Sequence, residues 1–293
     1  MNGPDPTTAP APRGRPGTAA DHRLTVALTF DFDAESPWLG PDGTASPSQM
    51  SRGAYGANEG VRRVLSLLDR YHLPATFFVP GDTAERHPAE TTAIVAAGHE
   101  IGHHGYRHEP PPSLTPDQER EMVERGLEAL DRVVGVRPRG YRSPAWELSD
   151  STFGLLGEYG FAYDASQLGA DRPHWVQDRG RSTDLVEVPG AWELCDSALF
   201  LFSFEPYLRG LAAPSHAEEI WRGDFDGLWA EDSDACYVLT MHPQIIGRPH
   251  RMALLERLVV HVLATDGVWF ARTGEVADRF RAMNPVSGAP QPG

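Results

Sequence analysis

The chain has 293 residues, 40% of them hydrophobic and 23% charged, enough apolar material for one large domain or two small ones. Its 26 Lys and Arg against 41 Asp and Glu give a formal charge of −15. With no basic cluster to offset that charge, nucleic acid and anionic membrane surfaces are disfavoured as partners. Two cysteines, Cys195 and Cys236, cannot build a disulfide framework and read as two small buried hydrophobes or one disulfide.

Residues 1–22 hold five Pro, three Gly, four Ala and three Thr, and no large apolar side chain beyond Met1. Such a segment buries too little surface to offset its ordering entropy, so a disordered tail is expected there. It has no apolar core of a signal peptide, and nothing in the chain approaches the ~20 apolar residues of a membrane span. A cytoplasmic protein is the expectation. Residues 284–293 have the tail's character, which leaves a single body over 23–283.

Inside that body, strand and helix signals alternate. Thr25 to Phe30 reads as a buried strand, and Val61, Val64, Leu65 and Leu68 as one face of a helix. Ala75 to Val79 is strand-like, Ala84 to Ala97 helical up to Gly98, and Glu100 to His103 a short strand end. Thr115-Pro-Asp-Gln118 has the capping-box pattern, ahead of the apolar positions Met122, Val123, Leu127, Leu130 and Val134. Further strands are expected at Gly140–Ser143, Phe161–Asp164, Leu185–Val188, Cys236–Met241 and Val268–Ala271, with a helix over Leu254–Leu263. Strands separated by helices argue for parallel βα units, and seven or more for a closed or nearly closed barrel. Residues 192–234 break this rhythm with Phe200, Phe202, Phe204, Tyr207, Trp221, Phe225 and Trp229. An insertion of that kind is a lid, a subunit interface or plain packing on the barrel.

Four polar clusters fall at the C-terminal ends of expected strands, where barrel active sites form. Asp31 and Asp33 are two apart, so both point to one face of a strand. Two carboxylates ending an apolar strand are costly unless a cation or a function compensates them; a turn aspartate is the simpler reading of either alone. His104 and His108 are four apart and, with Asp33, give three ligands and open positions. That set suits Zn²⁺ and, less exclusively, Co²⁺, Ni²⁺ or Fe²⁺. His103 should point away if His104 points in, in a supporting or structural role. Arg142 is placed either to orient a carboxylate and lower its pKa or to make a surface salt bridge, and the proline turn after it can offer a backbone N–H to an oxyanion. His242 ends a strand as a general acid or as a hydrogen-bonded core histidine.

Taken in order, Thr29-Phe-Asp-Phe-Asp33, His104-Gly-Tyr-Arg-His108, Arg142-Ser-Pro-Ala145 and Leu239-Thr-Met-His242 resemble the motifs of the polysaccharide deacetylase (NodB homology) family, carbohydrate esterase family 4, over residues 24–283. The resemblance implies a distorted (β/α) barrel. It implies Asp31 as catalytic base, Asp33, His104 and His108 as metal ligands, Arg142 orienting Asp31, the Ala145 N–H at the oxyanion and His242 as acid. Two departures stand out: Phe32 separates aspartates that the family usually has adjacent, and Gly105 replaces the usual Ser or Thr. Together with the Trp38-Leu-Gly40 segment and His242-Pro, they are similar to a subgroup that includes peptidoglycan-deacetylase-like proteins, with cyclic imide hydrolases and metal-independent allantoinases as more distant neighbours. The expected activity is metal-dependent hydrolysis of a carbon–nitrogen amide bond in a small N-acetylated compound. Alternatives are imide or allantoin-like ring opening, or an inactive sugar-binding barrel. Trp146 projects over the same rim as a substrate contact, and related subgroup proteins point to a homo-oligomer.

Overall fold

The computed structural model describes residues 17–39, 46–202, 211–231 and 234–285. Its centre is β1 (Leu24–Asp31), buried along its whole length. Along one edge β1 pairs in parallel with β8 (Cys236–Met241); its other edge takes β2 (Thr76–Val79) towards its end and β9 (Val268–Phe270) at its start. From β2 the sheet runs through β3 (Glu100–His103), β4 (Gly140–Tyr141), β5 (Tyr163–Asp164) and β7 (Arg181–Glu187) to β6 (His174–Asp178), in the order β6-β7-β5-β4-β3-β2-β1-β8. It curls into a half-barrel, more open than the closed or nearly closed barrel that the alternation of strands and helices predicts and in keeping with the distorted barrel that the resemblance implies. All pairings up to β7 are parallel, so their C-terminal ends share one rim; β6 and β7 form an antiparallel hairpin.

The period of two sorts the side chains. Ala27, Phe78, Tyr163, Val186 and Val238 fill the inside of the curl. Val26, Leu28, Phe30, Phe77 and Leu239 face outward. Much of their cover comes from the helices Val61–Tyr71, with Val64 and Leu68 buried, and Pro249–Leu263, with Leu255 and Leu258 buried. Across β4 and β5, Tyr141, Phe161 and Leu185 pack with Met122, Val123 and Leu127 of the helix Pro116–Val134, whose Thr115–Gln118 capping box forms as the sequence predicts. The helix expected over Ala84–Ala97 is two helices, Gly81–Arg86 and Pro88–Ala96, because Pro88 cannot continue the first one and starts the second.

Part of the expected N-terminal tail is tied down. The Gly17 N–H donates to the Val268 carbonyl at 2.8 Å, and the His22 ring packs against Trp269 at 5.1 Å. Residues 1–16 of that tail lie outside the described residues. At the other end, the Asn284 carbonyl accepts from the Trp175 indole at 3.0 Å, while residues 286–293 lie outside the description. The aromatic segment divides in the same way. Phe200, Trp221 and Phe225 are buried in the core, with Trp221 and Phe225 on the helix Pro214–Glu231 against Tyr237, while Trp192 stands at the rim of the sheet. Phe204 and Tyr207 lie outside the described residues. Cys195 and Cys236 are buried free thiols, so the single-disulfide reading does not hold.

Candidate active site and metal centre

The sequence-predicted residues Asp31, Asp33, His104, His108, Ala145, Trp146 and His242 all line one cavity of ≈190 Å³ at the rim of the curl. Arg142 stands directly behind it. Asp31 closes β1 facing inward; Phe32 turns outward into the core, and Asp33 follows on the inner side. His103 and His104 split across the sheet. His103 is fully buried on the outer side, where its Nε2–H donates to the Val123 carbonyl at 3.1 Å and its Nδ1 accepts from the Gly105 N–H at 3.2 Å. It is structural, as the alternation requires.

The His104 Nδ1–H donates to the Arg142 carbonyl at 2.7 Å, which fixes the tautomer and turns Nε2 inward to 3.5 Å from Asp33 Oδ1. His108 comes alongside, ring centroids 5.0 Å apart, and the ligand atoms of Asp33, His104 and His108 all lie within 4.8 Å of one another. Burial lowers both imidazoles, His108 to about 3, so both are neutral and hold a free lone pair. Asp33 Oδ2 accepts from Gln244 Nε2 at 3.2 Å, while Oδ1 is buried with no hydrogen-bond donor among the described residues. Burial pushes this carboxyl up to about 8, the adjacent Asp31 adding to the rise and His242 opposing it. A buried carboxylate oxygen with no donor, facing two neutral imidazoles, fits a divalent cation.

Gly105 explains one departure from the usual motif. It has φ of 73°, a conformation that strains any side chain, and a Cβ there would lie 3.0 Å from Met122 Sδ and 3.1 Å from Pro144 Cγ, pressing on the turn that follows Arg142. That turn, Pro144–Trp146, places two successive non-glycine residues in the left-handed region, Ala145 at φ 56° and Trp146 at φ 57°. Each costs ~1–2 kcal/mol relative to a right-handed conformation, so the surroundings must hold them.

Asp31 and His242 carry opposite charges. Burial raises the Asp31 carboxyl, but the charge and hydrogen bond of Arg142, with the charge of His242, outweigh it, leaving its pKa below the usual value. Arg142 Nη1 donates to Asp31 Oδ1 at 2.8 Å and to Thr29 Oγ1 at 3.0 Å, and the guanidinium stacks 4.1 Å over Phe78. Arg142 is fully buried, so the surface-salt-bridge reading is excluded. Burial alone would lower His242; Asp196, whose Oδ1 accepts from the imidazole Nδ1 at 2.6 Å and whose Oδ2 accepts from the His242 N–H at 2.9 Å, raises it well above its ordinary value. The His242 Nε2 then faces Asp31 Oδ2 and Asp33 Oδ2, each at 3.7 Å.

Asp196 is absent from the sequence reading. It lies 46 residues before His242 inside the aromatic segment, with no spacing pattern between them. A single bridge from Cys195 to Thr240 beside β8 brings it there. The one signal was a carboxylate inside an apolar run, Leu194-Cys-Asp-Ser-Ala-Leu-Phe200. Trp38, Trp146, Trp192, Leu201 and Ile245 make the cavity walls apolar above this charged floor.

The polysaccharide deacetylase family model matches residues 19–163. A peptidoglycan deacetylase of Helicobacter pylori is 35% identical over 286 residues, covering 89% of this chain and 98% of its own. A Mycobacterium smegmatis crystal structure named after the same family is 39% identical, with a TM-score of 0.86 over 97% of this chain and 99% of the other. The structure of Puue allantoinase is 26% identical, with a TM-score of 0.77 over 91% and 93% of the two chains. On the H. pylori identity over nearly both full lengths, and on the motif residues gathered in one cavity, the chain belongs to the polysaccharide deacetylase family, carbohydrate esterase family 4.

Proposed function

We propose that the protein is a metal-dependent hydrolase of non-peptide carbon–nitrogen amide bonds, acting as an N-deacetylase on a small N-acetylated compound. The observation that carries this is the meeting, in one cavity, of Asp31 held by Arg142 and His242 held by Asp196 beside the ligand set Asp33, His104 and His108. Zn²⁺ suits that donor set best, with Co²⁺, Ni²⁺ or Fe²⁺ as substitutes; when bound, such an ion supplies Lewis acidity at a carbonyl oxygen and a lower pKa for water.

The protein's own residues do the rest. Asp31, kept ionised by Arg142, takes a proton from the attacking water as the C–O bond forms. The Ala145 N–H, held at the cavity wall, donates to the developing oxyanion. His242 gives its Nε2 proton to the leaving nitrogen as the C–N bond breaks, and Asp196 keeps that proton available beforehand. The products are a carboxylate and an amine.

The small, tryptophan-walled cavity supports a compact substrate rather than a polymer strand. A second reading, ring opening of a small cyclic imide or hydantoin, is supported by the likeness to the allantoinase structure over 91% of this chain. The test is to measure turnover per site on N-acetylated mono- and disaccharides, succinimide, hydantoin, chitin and peptidoglycan at equal metal loading. Acetate released fastest from a small compound supports the first reading, and faster ring opening replaces it with the second. Faster turnover on a polymer overturns the small-substrate assignment.

A further inference from the structure

Behind the cavity, on the outer face of the sheet, the mechanism leaves two buried acids unused. Asp164 ends β5 and Glu187 ends β7; they are register partners on adjacent parallel strands, and both are fully buried. Each carboxyl is the other's neighbour at that register position, and Asp164 acts on Glu187 to raise it. Glu187 Oε1 accepts from the Ser166 and Gln167 N–H groups, each at 3.0 Å, and Asp164 Oδ1 accepts from the Ser166 hydroxyl at 2.7 Å. The remaining oxygens, Asp164 Oδ2 and Glu187 Oε2, have no other donor among the described residues. Two carboxylates cannot lie in contact there without one proton between them. Burial first, then Asp164, holds the Glu187 carboxyl well above its usual range, and burial also raises Asp164. From β4, the buried Tyr141 is a further titratable side chain facing Asp164.

This pair fixes the segment 165–167, and that segment holds two consecutive residues of the site. The Ala165 carbonyl accepts from Arg142 Nε at 3.1 Å. The Ser166 hydroxyl, having given its proton to Asp164, accepts the Ser143 N–H at 2.8 Å. Ser143 opens the turn with two left-handed residues, and its carbonyl accepts from the Trp146 N–H at 2.9 Å. We infer that Asp164 and Glu187 are positioning residues: sharing one proton, they lock residues 165–167, so that the Ala165 carbonyl aims Arg142 and the Ser166 hydroxyl holds the Ala145 turn. The inference rests on the role proposed above for that turn.

Each single amide keeps the pattern. In Glu187→Gln the amide donates to an ionised Asp164; in Asp164→Asn the amide donates to an ionised Glu187, and its oxygen still accepts from Ser166. Asp164→Ala and Ser166→Ala break the relay, the second while leaving both acids in place. Three readouts on the full chain with bound Zn²⁺ test this.

Amide hydrogen exchange across residues 143–147 should quicken at least ~10-fold in Asp164→Ala and Ser166→Ala, and stay within about twofold in the two amides. Turnover should fall ~10-fold or more in the first two variants with KM and metal content unchanged, and Asp164→Asn should rescue it. In the wild type, the unfolded acids are ionised above pH ~5 while the folded pair keeps a proton. That proton lowers the folding constant about tenfold per pH unit as pH rises. Glu187→Gln should lose this contribution and show a shallower decline. Unchanged exchange in Ser166→Ala, or an unchanged pH slope in Glu187→Gln, overturns the pair. Faster exchange with unaltered kcat overturns its link to the reaction. If the wild type turns over none of the compounds, the functional reading fails, while exchange and the pH slope still decide the pair.

Discussion

His103 and His104 are neighbours in sequence, both buried, and lie on opposite faces of one strand end. His103 uses both ring nitrogens on backbone groups, Val123 and Gly105. His104 uses only one, on Arg142, and keeps Nε2 free beside Asp33. The same division separates the two sides of the sheet at this rim. On the outer side Ser166 donates to Asp164 and accepts from Ser143, and Glu187 accepts from two backbone N–H groups, whereas inside the curl Asp33 Oδ1 has no hydrogen-bond donor among the described residues and Asp31 faces His242 across 3.7 Å. Buried polar groups normally complete their hydrogen bonds. Inside the curl the unpartnered oxygen stands beside two imidazoles, a donor set that fits a divalent cation.

The strongest way to break this contrast is to exchange the fates of the two histidines. His104→Ala should lose stoichiometric metal and all measurable turnover, and so should Asp33→Ala and His108→Ala; His103→Ala should keep its metal. Metal analysis after dialysis checks it, and metal loss from His103→Ala alone would reverse the assignment. Next in size, Asp31→Asn should retain fold and metal but lower kcat by at least ~10²-fold, as expected for a lost general base. Near-normal kcat would remove Asp31 from proton transfer.

A sharper probe is the pH profile. Arg142 and its hydrogen bond hold the Asp31 carboxyl down, so Arg142→Ala should move the acidic limb of kcat/KM to higher pH. Asp196 holds the His242 imidazole up, so Asp196→Asn should move the alkaline limb to lower pH, since the acid loses its proton sooner. Limbs that stay in place would leave both partners with packing roles only. The smallest effect belongs to the closed side. His103→Ala should cost ~1–3 kcal/mol of stability by stranding the Gly105 N–H and Val123 carbonyl, with kcat per metal within about twofold. Denaturant unfolding at fixed metal content measures it.

The inner side was the more legible in sequence. Asp31 and Asp33 are two apart on an extended segment and His104 and His108 four apart on a turn, so local periodicity alone brings each pair together. The Thr115 capping box is equally local. What was missed depends on register between distant segments. Asp196 reaches His242 only because Cys195 bridges Thr240, and Asp164 meets Glu187 only because β5 and β7 pair in that register. The antiparallel β6 was missed because its strand carries polar residues such as His174, Gln177 and Asp178. The turn that makes the hairpin, Arg179 at φ 49° and Gly180 at φ 78°, was its one local cue.

That hairpin bears on how the protein meets other copies of itself. A half-barrel has two free sheet margins, each a template on which another chain can add a strand. At β6 the register is broken between Trp175 and Gln177, and beyond the irregularity the ribbon carries Asp178, Arg179, Arg181 and Asp184. A kinked, charged margin is a poor surface for strand addition. At the far margin, Cys195 already occupies the side of β8 at Thr240. Both margins of the curled sheet are thereby poor templates for the addition of a further strand.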